Sequence, residues 1–144
     1  MDYWDTSALA KLYVPETDSA QFAAHLAATG PAVTSELTRW ELFRVLARKE
    51  SEGSIPVGAA GPTFERFLSD VAAGGVRLVA MDATLEIRFR NLVARLLGHS
   101  PAVLVRTFDG IHLATAEAKG SLTLVATDGG LRKAATANGM KLFP

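Results

Sequence analysis

Short apolar runs in this chain alternate with longer segments of helical periodicity, and that alternation constrains the fold more than any other feature. Leu122–Thr127 is the clearest strand pattern, and Asp128 after it stands as the N-cap of a helix to Asn138. Gly139 ends that helix before a last strand over Met140–Phe143. The chain opens in the same way: Met1–Asp5 reads as a strand and Thr6–Val14 as a helix stopped by Pro15. Asp18 with Gln21 resembles a capping box for a helix through Thr29, where Gly30 and Pro31 give a stop signal. Ala32–Thr34 is the next strand candidate. Two helices follow it, over Ser35–Gly53 and Pro62–Ala73, the first carried by Leu37, Trp40, Phe43, Leu46 and Ala47 at helical spacing. Val76–Ala80 then reads as a strand, Asp82 as an N-cap, and Leu85–Leu97 and Phe108–Lys119 as helices. Helices between successive strands predict an α/β domain with a mainly parallel central sheet covered on both faces. Ligands bind such sheets beyond the carboxyl ends of the strands.

A chain of 144 residues is expected to form one domain, 1–144, around a single core. Its 49% hydrophobic and 21% charged fractions exclude a disordered or low-complexity chain. Formal net charge is zero, so no global basic field is available to bind nucleic acid, and any such role must be local. The longest stretch without a charged residue, Ser19–Ser35, is too short for a bilayer span and contains His25, Gly30 and Pro31. Asp2 and Asp5 are the wrong charge for a signal peptide, and the absence of cysteine removes disulfides and thiolate metal sites. The expectation is a soluble, cytoplasmic protein with no membrane role.

Four acids stand where a simple surface charge is not the natural reading. Asp5 follows the first strand, with the N-cap of the next helix as its ordinary role. Glu41 has Leu37 and Val45 at i−4 and i+4, so it lies on or beside the apolar stripe of its helix. A carboxylate there needs a cation or hydrogen bonds, because burial without a partner costs on the order of several kcal/mol. The bland alternative is an i,i+3 pair with Arg44, worth about 0.3 kcal/mol. Asp109 begins a helix whose i+3, i+4 and i+7 residues are His112, Leu113 and Ala116, a stripe that faces inward, although the helix dipole alone would also favour an acid there. Asp128 ends its strand as an N-cap. Together these acids are expected to meet at one rim of the sheet, and such a cluster repels itself unless divalent cations occupy it. An all-oxygen donor set selects Mg²⁺ or Mn²⁺ over zinc.

That chemistry suits phosphodiester hydrolysis, in which a metal activates water and neutralises the scissile phosphate. Lys11, Arg39, Arg44, Arg48, Arg132 and Lys133 could hold flanking phosphates, with a solvated helix face as the ordinary reading of each. Ser7 and Thr127, beside two of the acids, could orient a carboxylate or simply cap locally. The Asp109-x-x-His112 spacing could bring two ligands to one metal, but no second histidine is placed to help, so His112 reads as a packing histidine. His25 and His99 carry no signal. Glu36 and Asp82 read as helix-start acids, and Asp2, Glu16, Asp18, Asp70 and Glu86 as surface charge. No Gly-rich phosphate loop or Ser/His/Asp arrangement is present.

Asp5-Thr6-Ser7-Ala8-Leu9-Ala10-Lys11, Glu41 within Glu36–Arg44, Phe108-Asp109-Gly110-Ile111-His112-Leu113-Ala114-Thr115-Ala116 and Thr127-Asp128 resemble, in order and spacing, the four acidic motifs of PIN-domain nucleases. The likeness spans the chain, and in particular the chain is similar to the VapC toxins of bacterial type II toxin–antitoxin systems. The resemblance implies a three-layer α/β/α sandwich, a Mg²⁺- or Mn²⁺-dependent endoribonuclease acting on a structured RNA such as a tRNA or rRNA loop, and a homodimer. It also implies a cognate VapB-like antitoxin that occupies the acidic site. Carried over, Asp5, Glu41, Asp109 and Asp128 would be the metal-binding catalytic acids, with Ser7 and Thr127 as supporting hydroxyls. Gly129-Gly130 departs from the family, which more often has larger or charged residues there, and is expected to loosen the loop carrying Asp128.

Two rival readings remain open at this point. A haloacid-dehalogenase-like phosphohydrolase would use Asp5 as its nucleophile, but that family expects a second Asp where Ser7 stands. A non-catalytic PIN-like binding module would not need all four acids.

Overall fold

A computed structural model describes every residue from Met1 to Pro144. The elements in chain order are β1 (Tyr3–Trp4), α1 (Thr6–Ala10), α2 (Ser19–Thr29), β2 (Ala32–Ser35), α3 (Thr38–Ser51) and α4 (Ala60–Ala72). They continue with β3 (Val76–Val79), α5 (Ala83–Leu97), α6 (Thr107–Ala118), β4 (Thr123–Val125), α7 (Gly129–Ala137) and β5 (Lys141–Phe143). The strands form one five-stranded sheet in the order β3-β2-β1-β4-β5, with every pairing parallel. No helix is long and apolar enough to cross a membrane.

Period-2 alternation divides the core between the two faces of this sheet. Tyr3 and Leu124 point into one cluster with Leu92, Leu96 and Leu113, while their neighbours Trp4 and Val125 point into the other with Phe22, Leu42, Leu46 and Phe67. The first cluster is covered by α5, α6 and α7 and the second by α1 to α4, which gives the three-layer α/β/α sandwich. Gly110 allows the tightest helix contact: a Cβ there would lie 2.6 Å from Cε2 of Phe89 on α5.

The strand order matters most for function. The chain builds β1, β2 and β3 outward on one side and then returns to lay β4 on the other side of β1. A crevice therefore opens beyond the carboxyl ends of β1 and β4, the switch point at which parallel sheets bind ligands. The Asp5 N–H donates to the Val125 carbonyl at 3.0 Å, so the acid after β1 is tied to β4.

Several local expectations change. The helix after Asp5 ends at Ala10 and continues to Val14 as tighter turns, with Leu12 N–H on Leu9 O and Tyr13 N–H on Ala10 O. Asp18 makes no side-chain cap to α2, because its carboxylate accepts from the Lys11 ammonium at 2.7 Å. Glu16 bridges Lys11 and Lys49, Asp70 accepts from the Tyr13 hydroxyl, and Asp2 pairs with His25, so these acids tie elements together and are not idle surface charge. Gly129 and Gly130 form the first turn of α7, not a loop, and neither has positive φ.

Candidate functional site

Asp5 and Asp128 each cap a helix with one carboxylate oxygen, leaving the other to the Ser7 hydroxyl in the first case and to Arg106 in the second. Oδ1 of Asp5 accepts from Ala8 N–H at 2.9 Å, and Oδ1 of Asp128 accepts from Leu131 N–H at 2.9 Å. Both therefore play the local role expected from sequence while standing at the carboxyl ends of adjacent strands. Glu41 comes from α3 and Asp109 from the first turn of α6. All four acids line one open cavity of about 780 Å³, together with Thr6, Ser7, Arg44, Arg48, Arg106, Phe108 and His112.

Within the cavity the acids are held in three different ways. Asp5 is 4% exposed and meets no cation; Ser7 Oγ donates to its carboxylate at 2.8 Å, and Thr127 Oγ1 donates to Ser7 Oγ at 2.8 Å. Burial pushes the Asp5 carboxyl above the usual aspartate range, and the Ala8 N–H and Ser7 hydroxyl oppose this without cancelling it. Burial also acts to raise Glu41, but His112, the Thr6 hydroxyl and the charge of Arg44 outweigh it and hold Glu41 below the usual range. Its direct partners are His112 Nε2, at 2.7 Å, and Thr6 Oγ1, so the i,i+3 pairing with Arg44 gives way to contacts with β1's following helix and α6. The third arrangement is an ion bridge: Arg106 Nε donates to Asp109 at 2.7 Å, and its Nη2 pairs with the Asp128 carboxylate at 2.9 Å. Asp128 is held low first by the Leu131 N–H and then by Arg106, against the pull of burial.

The donors fit a hard divalent cation in chemistry. All are carboxylate oxygens, and Asp109 and Asp128 already converge on one positive group, the Arg106 guanidinium. Their arrangement is looser than the expected cluster, since no three acids or histidines lie close enough to share one ion. Charge balance is met locally instead, by Arg106 for one pair and by hydrogen bonds for Asp5 and Glu41.

Arg106 was not legible as a cavity residue except through its i,i+3 spacing before Asp109, and Thr6 stood within the first acidic motif without a role of its own. His112 is 2% exposed with both ring nitrogens bonded inside the protein, to Tyr3 and to Glu41. Among the basic residues, Arg44 and Arg48 line the cavity. Lys11 does not, because Glu16 and Asp18 hold its ammonium, and Arg132 is committed to the carbonyls of Ala126 and Pro144.

The PIN-domain family model matches residues 3–137. The chain belongs to the PIN-domain family. Solved structures share this PIN fold over nearly the whole chain. The structure of VapBC2 from Rickettsia felis, bound to a DNA fragment from their promoter, matches at TM-score 0.69 and 15% identity, covering 99% of this chain and 98% of that one. Mycobacterium tuberculosis VapC20, a Sarcin-Ricin loop cleaving toxin, matches at TM-score 0.67 and 22% identity, covering 93% and 95%. FitAcB from Neisseria gonorrhoeae matches at TM-score 0.69 and 18% identity, covering 100% and 97%. No curated protein matches this PIN domain by sequence.

Proposed function

We propose that this PIN domain is a Mg²⁺- or Mn²⁺-dependent endoribonuclease and the toxin of a VapBC-like toxin–antitoxin pair. One observation carries the reading: acids from four separate segments line a single open cavity at the switch point of a parallel sheet. Asp5, Glu41, Asp109 and Asp128 are the acids that would hold a divalent ion, drawing in from their present looser spacing, and the ion would supply a water of lowered pKa and positive charge at the scissile phosphate. Thr127 and Ser7 orient the Asp5 carboxylate through their chain of hydroxyl bonds. Arg44 and Arg48 bind the phosphates on either side of the cut. Phe108, 54% exposed at the cavity wall, offers a face on which an unstacked base can rest.

A structured RNA with a splayed loop, in tRNA or rRNA, fits this combination of an open acidic cavity and flanking cations. The partner is a VapB-like antitoxin whose cationic segment would close over the same acids, and the toxin itself is a homodimer. The likeness to VapBC2 supports the antitoxin partner, and the likeness to a Sarcin-Ricin loop cleaving toxin supports the RNA substrate.

Purified protein, incubated with total cellular RNA and Mn²⁺, is expected to give discrete fragments. EDTA or the substitution Asp5→Asn abolishes them. If the folded protein free of antitoxin cuts no RNA but releases phosphate from phosphomonoesters in an Asp5-dependent way, the phosphohydrolase reading replaces this one. Neither activity would leave a binding module.

A further inference from the structure

The cavity holds Glu41 through a buried chain that reaches back to the centre of the sheet. Ser35 N–H, at the end of β2, donates to Tyr3 Oη at 3.0 Å. Tyr3 Oη lies 2.7 Å from His112 Nδ1, and His112 Nε2 lies 2.7 Å from Oε2 of Glu41. Tyr3 is 0% exposed and meets the imidazole edge-on, with centroids 5.8 Å apart, so ring packing and hydrogen bonding fix one orientation.

We infer that His112 is a positioning residue: as the Nε2–H tautomer, set by Tyr3, it holds Glu41 so that only one carboxylate oxygen is left for chemistry. The assignment follows from donors and acceptors. The Glu41 carboxylate can only accept, so Nε2 carries a proton; Tyr3 Oη already accepts from Ser35 N–H, which leaves its own O–H to donate to a bare Nδ1. The opposite tautomer would set the bare Nε2 lone pair against a carboxylate oxygen at 2.7 Å, which is repulsive. His112 and the Thr6 hydroxyl both donate to Oε2, and no protein group donates to Oε1. Two bonds on one oxygen fix the rotation of the carboxylate and present the other to whatever enters the cavity. This is the outer-layer support that orients ligating carboxylates in metal sites. The inference rests on the nuclease reading for what Oε1 then does.

The test combines imidazole spectroscopy with kinetics on the full chain. In ¹⁵N-labelled wild type, long-range ¹H–¹⁵N spectra are expected to show His112 with Nδ1 bare and Nε2 protonated, and Tyr3→Phe is expected to shift the Nδ1 resonance. At saturating Mn²⁺, Tyr3→Phe and His112→Gln lower kcat for RNA cleavage by about 10- to 100-fold. KM stays within about two-fold, since the residues do not touch substrate. His112→Gln, which keeps an N–H donor, is less impaired than His112→Ala. A wild-type His112 protonated at Nδ1, alone or as imidazolium, overturns the inference without any variant. Unchanged kcat in Tyr3→Phe overturns it as well. The expected tautomer in a wild-type protein that cuts no RNA sinks the nuclease reading while leaving Glu41 pinned by His112.

Discussion

Arg106 places its guanidinium 2.9 Å from the Asp128 carboxylate while the same group binds Asp109 at 2.7 Å. One cation thereby joins the first turn of α6 to the N-cap of α7, and it occupies the space between two acids proposed as metal ligands. Metal entry must displace it. Arg106 is largely exposed, so its hold on the pair is weak, and Arg106→Ala is expected to tighten Mn²⁺ binding by about two- to five-fold in calorimetric titration. Weaker binding by the variant would show that the guanidinium organises the acids for the ion instead of competing with it.

Asp5→Asn separates stability from activity. Burial raises the Asp5 carboxyl, so the folded state keeps its proton to higher pH than the unfolded chain does. Its contribution to stability is therefore present below the ordinary aspartate value and is lost as pH rises through the raised one. The asparagine side chain retains an acceptor for Ala8 N–H without the buried charge. In EDTA the variant should melt above wild type at neutral pH, by about 2–4 °C for each kcal/mol recovered, and the gap should close on acidification. A gap independent of pH would mean that the charge of Asp5 is not the source.

Phe108 tests the nucleic-acid side of the proposal. It is an exposed aromatic on the cavity wall, and stacking of one base on such a ring is worth about 1–3 kcal/mol. Phe108→Ala should raise KM for RNA by about ten-fold or more with little effect on Mn²⁺ affinity. Unchanged KM would remove the stacking platform.

Gly110→Ala probes how α6 is held. The added methyl would meet the Phe89 ring at 2.6 Å, closer than packed atoms can stand. Relief requires Phe89 to turn or α6 to move with Asp109 and His112 on it, and overpacking of this kind costs about 1–3 kcal/mol. Chemical denaturation should show that loss, and Gly110→Ala with Phe89→Leu should recover part of it.

Much of the fold was readable because it depends on near neighbours. Asp5, Asp82 and Asp128 cap helices through bonds to the N–H three residues on, and each was placed from its position before a helical pattern. Even here, distant chain can intervene. Asp18 stands in the right place for a cap, but Lys11 captures its carboxylate. Glu41 shows the same limit: its inward position was visible from Leu37 and Val45, while its partner His112 lies 71 positions away and could not be chosen over nearby Arg44.

The sequence by itself determined the alternation of strand and helix, the caps, and the four acids set at strand ends or on inward helix faces. These follow from periodicity and from hydrogen bonds spanning three or four residues. Only the tertiary structure decided which acids share a cavity and what neutralises them. The return of the chain after β3 sets β4 beside β1 and so brings Asp128 near Asp5; the packing of α6 brings Arg106 between two carboxylates and His112 against a third. Ion pairs between elements depend on where the chain reverses, and that is settled by burying both faces of the sheet at once.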